Sequence, residues 1–540
     1  MTQRNPHYDL RFEPWIPVER LDGTADVVSI RDALVGAHQI RRISGEIPGE
    51  GLALLRFLLS FVYCINYDLE GAGEKQKKER WEKLRSQGSF KADQIDEYLA
   101  DYPNEFDLFD DEHPFYQIPG LAYMAEKEFD SVSELMLDIP NPEKGKFLFS
   151  MRSPEHLDSL SFDLAARYLV VAHAYDKSGI KSPVIGNTSA KSGKAYAPKG
   201  ALGTGWCGAL GGIYLEGQNL FETLLLNFVL FLSNVPVISQ DDYAPWERKV
   251  PSADTCQREP TGPVDLLTWQ SRRIRLVPSE DGSCVRGVII SYGDILIPAN
   301  KQRFEMMTGW QRDEKLQRKL GVAVVPLQPV APDTARALWR GLPSLLAVAD
   351  DWELRPGVVR WMGELQDEQS SDDWRLNVRV VCQGVSYDKK YRSAIEDASM
   401  DSVDLRASLL RKDSEAVIKM LDVIKRTDQA VGTLVRFVQN VESAQGDKRS
   451  DSAAQTMRKD VREGAYDALD ALYRARIAEF PDEEVDEYCL AWRKEAQFVL
   501  RRLANAYVSH RHVSCFSEHD DVSVGRALAW FEAGLVKALF

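Results

Sequence analysis

The sequence lacks the paired cysteines of a disulfide framework or a thiolate zinc site. Its 540 residues contain seven cysteines, an odd number, and no two of them form a Cys-x-x-Cys pair. Widely spaced, unpaired cysteines are typical of proteins in a reducing compartment. We therefore predict a cytoplasmic protein without a thiolate zinc site.

Long apolar runs are also scarce. The longest, at residues 52–64 and 224–232, are shorter than the roughly 20 residues that a helix needs to cross a bilayer, and Arg56 interrupts the first. The first residues are polar and do not resemble an export signal. We expect both runs to form buried helices in a soluble protein that has no membrane partner.

No catalytic constellation is apparent. His113 follows three acidic residues, but no second histidine, cysteine nucleophile or G-x-S-x-G elbow accompanies it. The string at residues 203–208 matches G-x-G-x-x-G, yet no strand precedes it and no βαβ unit surrounds it, which excludes a dinucleotide site. We predict that the protein is not an enzyme and that it binds neither a cofactor nor a metal.

The charge distribution is uneven. A formal net charge of −15 opposes indiscriminate wrapping of DNA, because the summed field repels phosphate. Residues 177–215, however, contain five lysines, many glycines and no acidic residue. Two interpretations are open: a solvated excursion, or a phosphate contact made by lysines and exposed backbone N–H groups. The glycines at 203–208 permit close approach of the backbone to a ligand, or form a purely structural turn.

Helical periodicity dominates the carboxy-terminal quarter of the chain. Polar breaks near residues 446, 481 and 518 divide it into four amphipathic segments joined by short connections. This pattern predicts an antiparallel four-helix bundle over residues 396–540. The apolar positions that we expect to face its core are Val417, Leu421, Ile424, Val431, Leu434, Val438, Val441, Met457, Val461, Ala465, Ala468, Leu472, Val485, Cys489, Trp492, Ala496, Val499, Leu503, Val524, Leu528, Phe531, Leu535 and Leu539.

Residues 1–395 mix strand and helix patterns without a regular alternation. Residues 269–277 alternate apolar Ile274 and Leu276 with charged Arg273 and Arg275, as in a half-buried strand, and further strands are expected at 285–290 and 295–297. Helices are predicted at 51–67, 163–176 and 221–232. The fold class is therefore α+β: a large irregular mixed domain at 1–395, followed by the four-helix bundle.

Several strings occur in an order that resembles one protein family. They include FEPWIPV at 12–18, SIRDAL at 29–34, ALLR at 53–56, HPFYQ at 113–117, WQSRRIRL at 269–276 and the stretch 378–387. In this order, and together with the glycine-rich loop, the sequence resembles CasA, the large subunit of the type I-E CRISPR surveillance complex called Cascade. The resemblance covers most of the predicted amino-terminal domain.

This resemblance implies a non-catalytic DNA-recognition subunit in antiviral defence. Such a protein recognises the protospacer-adjacent motif in double-stranded DNA, promotes strand opening and recruits the helicase-nuclease. Its implied partners are the target DNA, the guide RNA ribonucleoprotein, the other Cascade subunits and the helicase-nuclease effector. This agrees with the general division in which protein reads the adjacent motif and base pairing reads sequence.

The resemblance also implies which residues contact DNA. A motif-contacting loop corresponds to residues 144–152, a glycine loop to 199–205, and a minor-groove finger to Lys301 or Arg303. A strand-separating wedge is expected after Tyr387, although the family's glutamine is replaced here by Asp388-Lys389-Lys390-Tyr391. The predicted DNA-binding residues are Phe147, Phe149, Arg152, Lys199, Gly200, Gly203, Thr204, Gly205, Lys301, Arg303, Lys389 and Lys390.

Two other functions are alternatives to motif recognition. The first is a mainly structural scaffold that docks partner subunits through its helical bundle. The second is an enzyme acting on nucleic acid, which the missing constellation disfavours.

Overall fold

The computed structural model describes most of the chain. The described residues are 6–46, 49–137, 158–198, 200–232, 235–331, 336–346, 349–367, 377–388, 392, 395–412, 414–444, 451–481, 484–509 and 522–540. In that part of the chain no helix is both long and apolar enough to span a membrane.

Strands and helices alternate irregularly up to about residue 406, and the longer elements described after that point are all helices. The strands are β1 Ile16–Arg20, β2 Ala25–Val28, β3 Ile40–Ile43, β4 Ile213–Glu216, β5 Phe231–Leu232, β6 Val235–Pro236, β7 Cys256–Gln257, β8 Arg272–Pro278, β9 Val285–Tyr292, β10 Asp294–Ile295, β11 Trp310–Arg312, β12 Leu327–Pro329, β13 Asn377–Tyr387 and β14 Ile395–Arg406. The helices are α1 Ile30–Val35, α2 Glu50–Cys64, α3 Glu74–Gln87, α4 Ala92–Ala100, α5 Phe162–Tyr175, α6 Leu220–Leu226, α7 Pro263–Leu267, α8 Glu314–Leu320, α9 Leu342–Leu345, α10 Gly357–Asp367, α11 Glu415–Ala444, α12 Asp451–Ala478, α13 Val485–Ser509 and α14 Val524–Leu539. The predicted mixed α+β class with a carboxy-terminal helical region is confirmed.

The sheets are small and mostly antiparallel. β1 lies between β2 and β3, β13 lies between β14 and β4, and β8 pairs with β9 as a hairpin in which Ile274 is opposite Ile290. The pairing of β10 with β7 is parallel. Sheets of two or three strands depend on helices and loops to cover their faces; here α6 packs against β3 and β4, and α5 packs against β8.

An aromatic cluster around α2 explains two of the sequence strings. Phe57 of α2 contacts Trp15 and Phe115 edge to face, with ring centroids 5.6 and 5.7 Å apart, and all three side chains are buried. The backbone N–H of His113 donates to the Asp110 carboxylate at 2.7 Å, which closes a tight turn over residues 110–113. The strings at 12–18 and 113–117 therefore carry core side chains as well as family likeness.

The predicted helix at 221–232 is wrong beyond its first half. Helix α6 ends at Leu226, and β5 begins at Phe231. The cause is Asn227, which is fully buried and whose side-chain amide bonds both the N–H and the carbonyl of Leu215. These bonds attach the chain to β4 and end the helix. The residues that follow are also apolar, since they are buried in an extended conformation.

The chain forms two compact units. The first comprises Met1–Ala335, Glu353–Leu365 and Arg379–Ser402; the second comprises Arg336–Trp352, Gln366–Val378 and Val403–Phe540. The sequence-based boundary between residues 395 and 396 assigned the segment around Trp339 to the amino-terminal domain. In the structure, the Trp339 ring lies 4.5 Å from that of Tyr473 and its indole donates to Asp470 at 2.9 Å, which groups this segment with the helices.

The four carboxy-terminal helices contact one another through the apolar positions predicted for α11, all of which are buried. In α12 the buried face differs from the prediction. It runs through Ala465, Leu469, Tyr473 and Ile477 rather than through Ala468 and Leu472. Tyr473 shifts the face because its ring packs against Trp492 at 4.9 Å and its hydroxyl bonds Thr427, so a residue that is partly polar occupies the core.

Candidate nucleic-acid interface

The carboxy-terminal end of α5 holds several of the segments predicted to contact DNA. The last carbonyl groups of a helix have no partner within it and must be satisfied from elsewhere. Here the Ser271 hydroxyl donates to the His173 carbonyl at 2.7 Å, the Tyr387 hydroxyl donates to the Tyr175 carbonyl, and the Gly205 N–H donates to the Asp176 carbonyl at 3.0 Å. Strand β8, the end of β13 and the glycine loop therefore meet at one helix end.

A buried charge cluster reinforces this junction. Asp176 is fully buried and pairs with Arg272, which is 2% exposed, and with Lys181 at 2.7 Å. Burial by itself would raise the pKa of Asp176, but Lys181 and Arg272 outweigh it and hold the pKa at about 2. Burial also lowers the pKa of Lys181, against the pull of Asp176. Lys181, one of the lysines considered for a phosphate contact, is thus committed to an internal ion pair.

The arginines of β8 correct the prediction of a half-buried strand. Arg272 and Arg273 are both almost fully buried, whereas Arg275 is partly exposed. The Arg272 guanidinium donates to the Gly203 carbonyl at 2.7 Å, and that of Arg273 donates to Asp294 at 2.6 Å. The charges of Arg272 and Arg273 are therefore held in internal ion pairs with Asp176 and Asp294, whereas Arg275 is partly exposed as the pattern predicted.

The glycine loop is packed at its carboxy-terminal side. A Cβ atom on Gly205 would lie 2.3 Å from the backbone carbon of Ala174, and one on Gly203 would lie 2.2 Å from the Ser178 hydroxyl. Thr204 between them is 2% exposed. At Gly205 the need for glycine is explained by close packing against the backbone that ends α5, whereas at Gly203 the nearest atom is a serine hydroxyl that can rotate away.

Gly200 differs from the later glycines of the loop. Its φ is +94°, a left-handed conformation that favours glycine, and no atom lies within 4 Å of an added Cβ. Lys191 and Lys194, which precede it, are exposed. The open part of the loop is therefore its amino-terminal side.

A second anchor fixes the segment that contains Lys301 and Arg303. Glu305 is buried and accepts two hydrogen bonds from Arg56 of α2, each at 2.9 Å, and one from the indole of Trp206 at 2.7 Å. Trp206 directly follows the glycine loop, and the Leu202 N–H of that loop donates to the Leu296 carbonyl at 3.0 Å. The glycine loop and residues 296–305 thus form one connected structure.

The two candidates for the minor-groove finger have different environments. Lys301 is 6% exposed; its ammonium group pairs with Glu259 at 2.8 Å and donates to the Ala299 carbonyl at 3.0 Å. Arg303 is exposed, and its guanidinium lies 5.5 Å from the centre of the Phe304 ring. Of the two, Arg303 presents its charge to solvent.

The predicted wedge begins where β13 ends. Tyr387 is buried against α5 through its hydroxyl, and the Arg392 carbonyl accepts from the Ser178 N–H at 2.8 Å. Lys389 and Lys390 lie between these two attachment points but outside the described residues, as do Phe147, Phe149, Arg152 and Lys199.

Sequence reasoning missed the residues that hold the interface together. They are Asp176, Arg272, Glu305 and Tyr387, of which Glu305 lies in the connection between β10 and β11 and the others lie at the ends of elements. One signal was present in the sequence: the consecutive arginines of β8 interrupt an apolar strand, and paired burial is the usual reason for such charges. In the described part of the chain, no group of three or more histidine, cysteine or acidic side chains could hold a metal.

Comparisons with known proteins agree with this architecture. The model of the family CRISPR-associated protein Cse1 matches residues 9–503. A CRISPR-associated protein CasA/Cse1 from Thermus thermophilus is 29% identical over 388 residues, which is 70% of this chain and 67% of the relative. The crystal structure of Thermobifida fusca Cse1 is 32% identical, with a TM-score of 0.88 over 100% of this chain and 99% of that chain. A chain of a structure described as a CRISPR RNA-guided surveillance complex shares the fold, with a TM-score of 0.69 at 18% identity over 99% of this chain and 100% of that chain.

Proposed function

This chain belongs to the CRISPR-associated Cse1 family, and from that premise we propose that it is the large, non-catalytic subunit of a type I-E RNA-guided surveillance complex. In this role it recognises the protospacer-adjacent motif in double-stranded DNA, promotes opening of the duplex and recruits the helicase-nuclease. The observation that carries the proposal is the attachment of the glycine loop, the 296–305 segment and the end of β13 to one another and to the end of α5.

The arrangement suits recognition of a short duplex segment. In the minor groove, different base pairs present similar sets of hydrogen-bond donors and acceptors. A protein that enters this groove therefore senses the groove width and the acceptor positions more than the identity of the bases. An exposed arginine is well suited to that contact because its guanidinium offers several donors. We assign the minor-groove contact to Arg303 and the close backbone approach to Gly200, since both are exposed.

Strand opening is assigned to the segment after β13. Of the residues that flank this segment, Tyr387 donates to the Tyr175 carbonyl, and the Arg392 carbonyl accepts from the Ser178 N–H. Lys389 and Lys390 would retain a displaced strand through their charges. Phe147, Phe149, Arg152 and Lys199 remain proposed contacts on the strength of the family resemblance.

The comparison of Arg303→Ala with Lys301→Met tests the proposal. Both substitutions remove one positive charge, and methionine retains the apolar stem of the buried lysine. In the reconstituted complex we expect Arg303→Ala to reduce the affinity ratio of matched to motif-mutated duplex by roughly tenfold. Lys301→Met should leave that ratio unchanged, because the Lys301 ammonium is already paired with Glu259.

Electrophoretic titrations at several salt concentrations provide the measurement, with complex lacking this subunit as the baseline. If Arg303 touched only phosphate, Arg303→Ala would weaken both targets alike and lower the salt dependence by about one counterion. An unchanged ratio for both variants would place the finger elsewhere and refute the assignment.

A scaffold role is the second candidate. We propose that α11 to α14 form an antiparallel four-helix bundle that docks other subunits. Large apolar side chains remain exposed on two of these helices, Phe498 at 67% and Trp530 at 50%, which favours a protein contact there. If this were the main role, omitting the subunit would impair assembly while the remaining complex kept its discrimination between matched and mutated motifs.

A further inference from the structure

A cavity of about 340 Å³ lies apart from the proposed motif contacts. It opens beside the turn at residues 113–117 and is bounded by the segment 245–258 and by Arg273 and Asp294 of β8 and β10. Its volume is within the range of about 300–1,000 Å³ that is usual for small-molecule sites. The motif-recognition proposal gives it no role.

Positive charge predominates in the cavity. Arg248, Lys249, Arg258 and Arg273 line it, against the carboxylates of Glu105 and Asp294. Asp265 also pairs with Arg248 and Arg258, which leaves four cations against three carboxylates. The cavity is therefore suited to an anionic ligand, although the net charge of the whole chain is strongly negative.

Two of the four cations are committed to the cavity wall. The Arg258 guanidinium bonds both Asp265 and Asp294 and lies 4.0 Å from the centre of the Trp269 ring. Arg273 bonds Asp294 and the Ser252 carbonyl. Arg248, by contrast, directs one nitrogen to Asp265 at 2.9 Å, and Lys249 is exposed, with no ion pair to a described residue. Arg248 and Lys249 can therefore supply donors to a ligand.

Aromatic rings form another part of the wall. Phe115 and Tyr116 stack with centroids 4.3 Å apart, and the Trp246 ring lies nearly parallel to that of Tyr116, with an interplanar angle of 16°. Tyr116 has a φ of 56°, a conformation that costs a tyrosine about 1–3 kcal/mol and that is concentrated at ligand sites. The rings are mostly buried, with Phe115, Tyr116 and Trp246 exposed by 1%, 8% and 5%, and the part of them that lines the cavity offers an apolar surface for a base next to the cations.

We propose that this cavity binds a nucleotide, with the phosphate at Arg248 and Lys249 and the base against the wall formed by Tyr116 and Trp246. The nucleotide comes either from solution or from a single strand of nucleic acid, since both present the same chemistry. The proposal is independent of motif recognition, because binding of a free nucleotide to this chain requires neither duplex DNA nor guide RNA.

Alkylation of Cys256 can report whether a ligand occupies the cavity, because Cys256 lines the cavity and is exposed. The other cysteines in the described part of the chain are buried or partly buried. The rate of Cys256 alkylation by a maleimide is followed by mass spectrometry on the full-length chain, with dAMP, inorganic phosphate or a single-stranded oligo(dA) added. At a ligand concentration ten times Kd we expect alkylation to slow by about tenfold.

Charge-reversal variants link this protection to the cavity. Lys249→Glu should raise the dAMP concentration needed for half protection by about tenfold or more, since it replaces a phosphate donor by a repelling carboxylate. The control Lys319→Glu makes the same change in net charge on an exposed residue of α8 and should behave like the unmodified chain.

Each outcome decides the proposal. Protection by dAMP supports a site for a free nucleotide, and protection by oligo(dA) alone supports a site for a nucleotide within a strand. Equal protection by inorganic phosphate would overturn the proposal, because the base would contribute nothing. Absence of protection by every ligand, or identical behaviour of Lys249→Glu and Lys319→Glu, would overturn it as well.

Discussion

Individual residues in this protein have functions that their chemical type alone does not indicate. Lys181 belongs to the lysine-rich segment considered for a phosphate contact, and Arg272 belongs to a strand expected to be half-buried, yet both pair with the buried Asp176. Removing one partner of such a cluster leaves a buried charge uncompensated, which typically costs about 3–5 kcal/mol. These residues therefore position the glycine loop, through the bond from Arg272 to Gly203, and do not themselves face a ligand.

The glycines at 200 and 205 lead to a prediction at the same scale. Gly205→Val should destabilise the protein by about 3 kcal/mol, because its Cβ would overlap the backbone between Ala174 and Tyr175, which has no room to move. Gly200→Ala should cost only about 1–2 kcal/mol, the penalty of a left-handed φ, and should weaken motif-dependent binding by the complex. Urea midpoints and binding titrations measure the two effects.

Of the two interpretations that the sequence left open for the glycines at 203–208, this expectation follows the structural turn at Gly205 and not the close approach to a ligand. A Gly205→Val variant with an unchanged urea midpoint would contradict the packing seen at α5. It would also restore residue 205 as a candidate for direct contact with DNA.

Helix α5 connects the segments of the interface, and its buried His173 makes that element sensitive to pH. Burial lowers the pKa of His173 to about 4, although the hydrogen bond to the Tyr116 carbonyl opposes this shift. Between pH 6.5 and about 4 the unfolded chain therefore binds a proton that the folded chain does not. By linkage, stability falls as the pH decreases through this window.

We expect His173→Gln to remove this contribution, which is on the order of 2–3 kcal/mol for such a shift. Glutamine keeps a donor for the Tyr116 carbonyl and does not titrate. The test is the urea midpoint of each protein at pH 7, 5.5 and 4.5. The midpoint of the parent should fall relative to that of the variant as the pH decreases. Asp242, whose pKa burial raises to about 6, contributes in the opposite direction but equally to both proteins. Identical pH profiles would show that His173 is not buried as a neutral group.

At the scale of the whole molecule, electrostatics opposes the proposed function of the isolated chain. The net charge of −15 repels phosphate, while exposed cations near the interface, such as Lys191, Lys194 and Arg303, attract it only locally. We predict that the chain alone binds motif-bearing duplex with a Kd of about 10⁻⁶ M or weaker at physiological salt, the range of non-specific binding.

Fluorescence anisotropy with matched and motif-mutated duplexes measures this affinity, and the assembled complex serves as the reference. We expect discrimination between the two duplexes only in the complex, where guide RNA pairing adds to the contacts of this subunit. A tight and motif-specific complex of the isolated chain would contradict this prediction.

Features that depend on residues close together in the chain could be determined from the sequence. The existence of the carboxy-terminal helices was predicted because helical periodicity is a local property, and the apolar positions expected to mark the last helix, from Val524 to Leu539, lie within α14. The mixed α+β class, the family and the strands β8 and β9 were likewise accessible. Where a local pattern was ambiguous, as in the apolar run that α6 and β5 share, the sequence did not distinguish helix from strand.

Only the tertiary structure decided which charges are buried and which glycines are packed. Arg272 and Asp176 are 96 residues apart in the chain, and Arg56 and Glu305 are 249 apart. Whether a charged side chain is solvated or paired depends on such distant partners, and no periodicity records them. The same dependence separates the buried Lys301 from the exposed Arg303, which the sequence left as equivalent candidates, because the pairing of Lys301 with Glu259 arises only when the chain is folded.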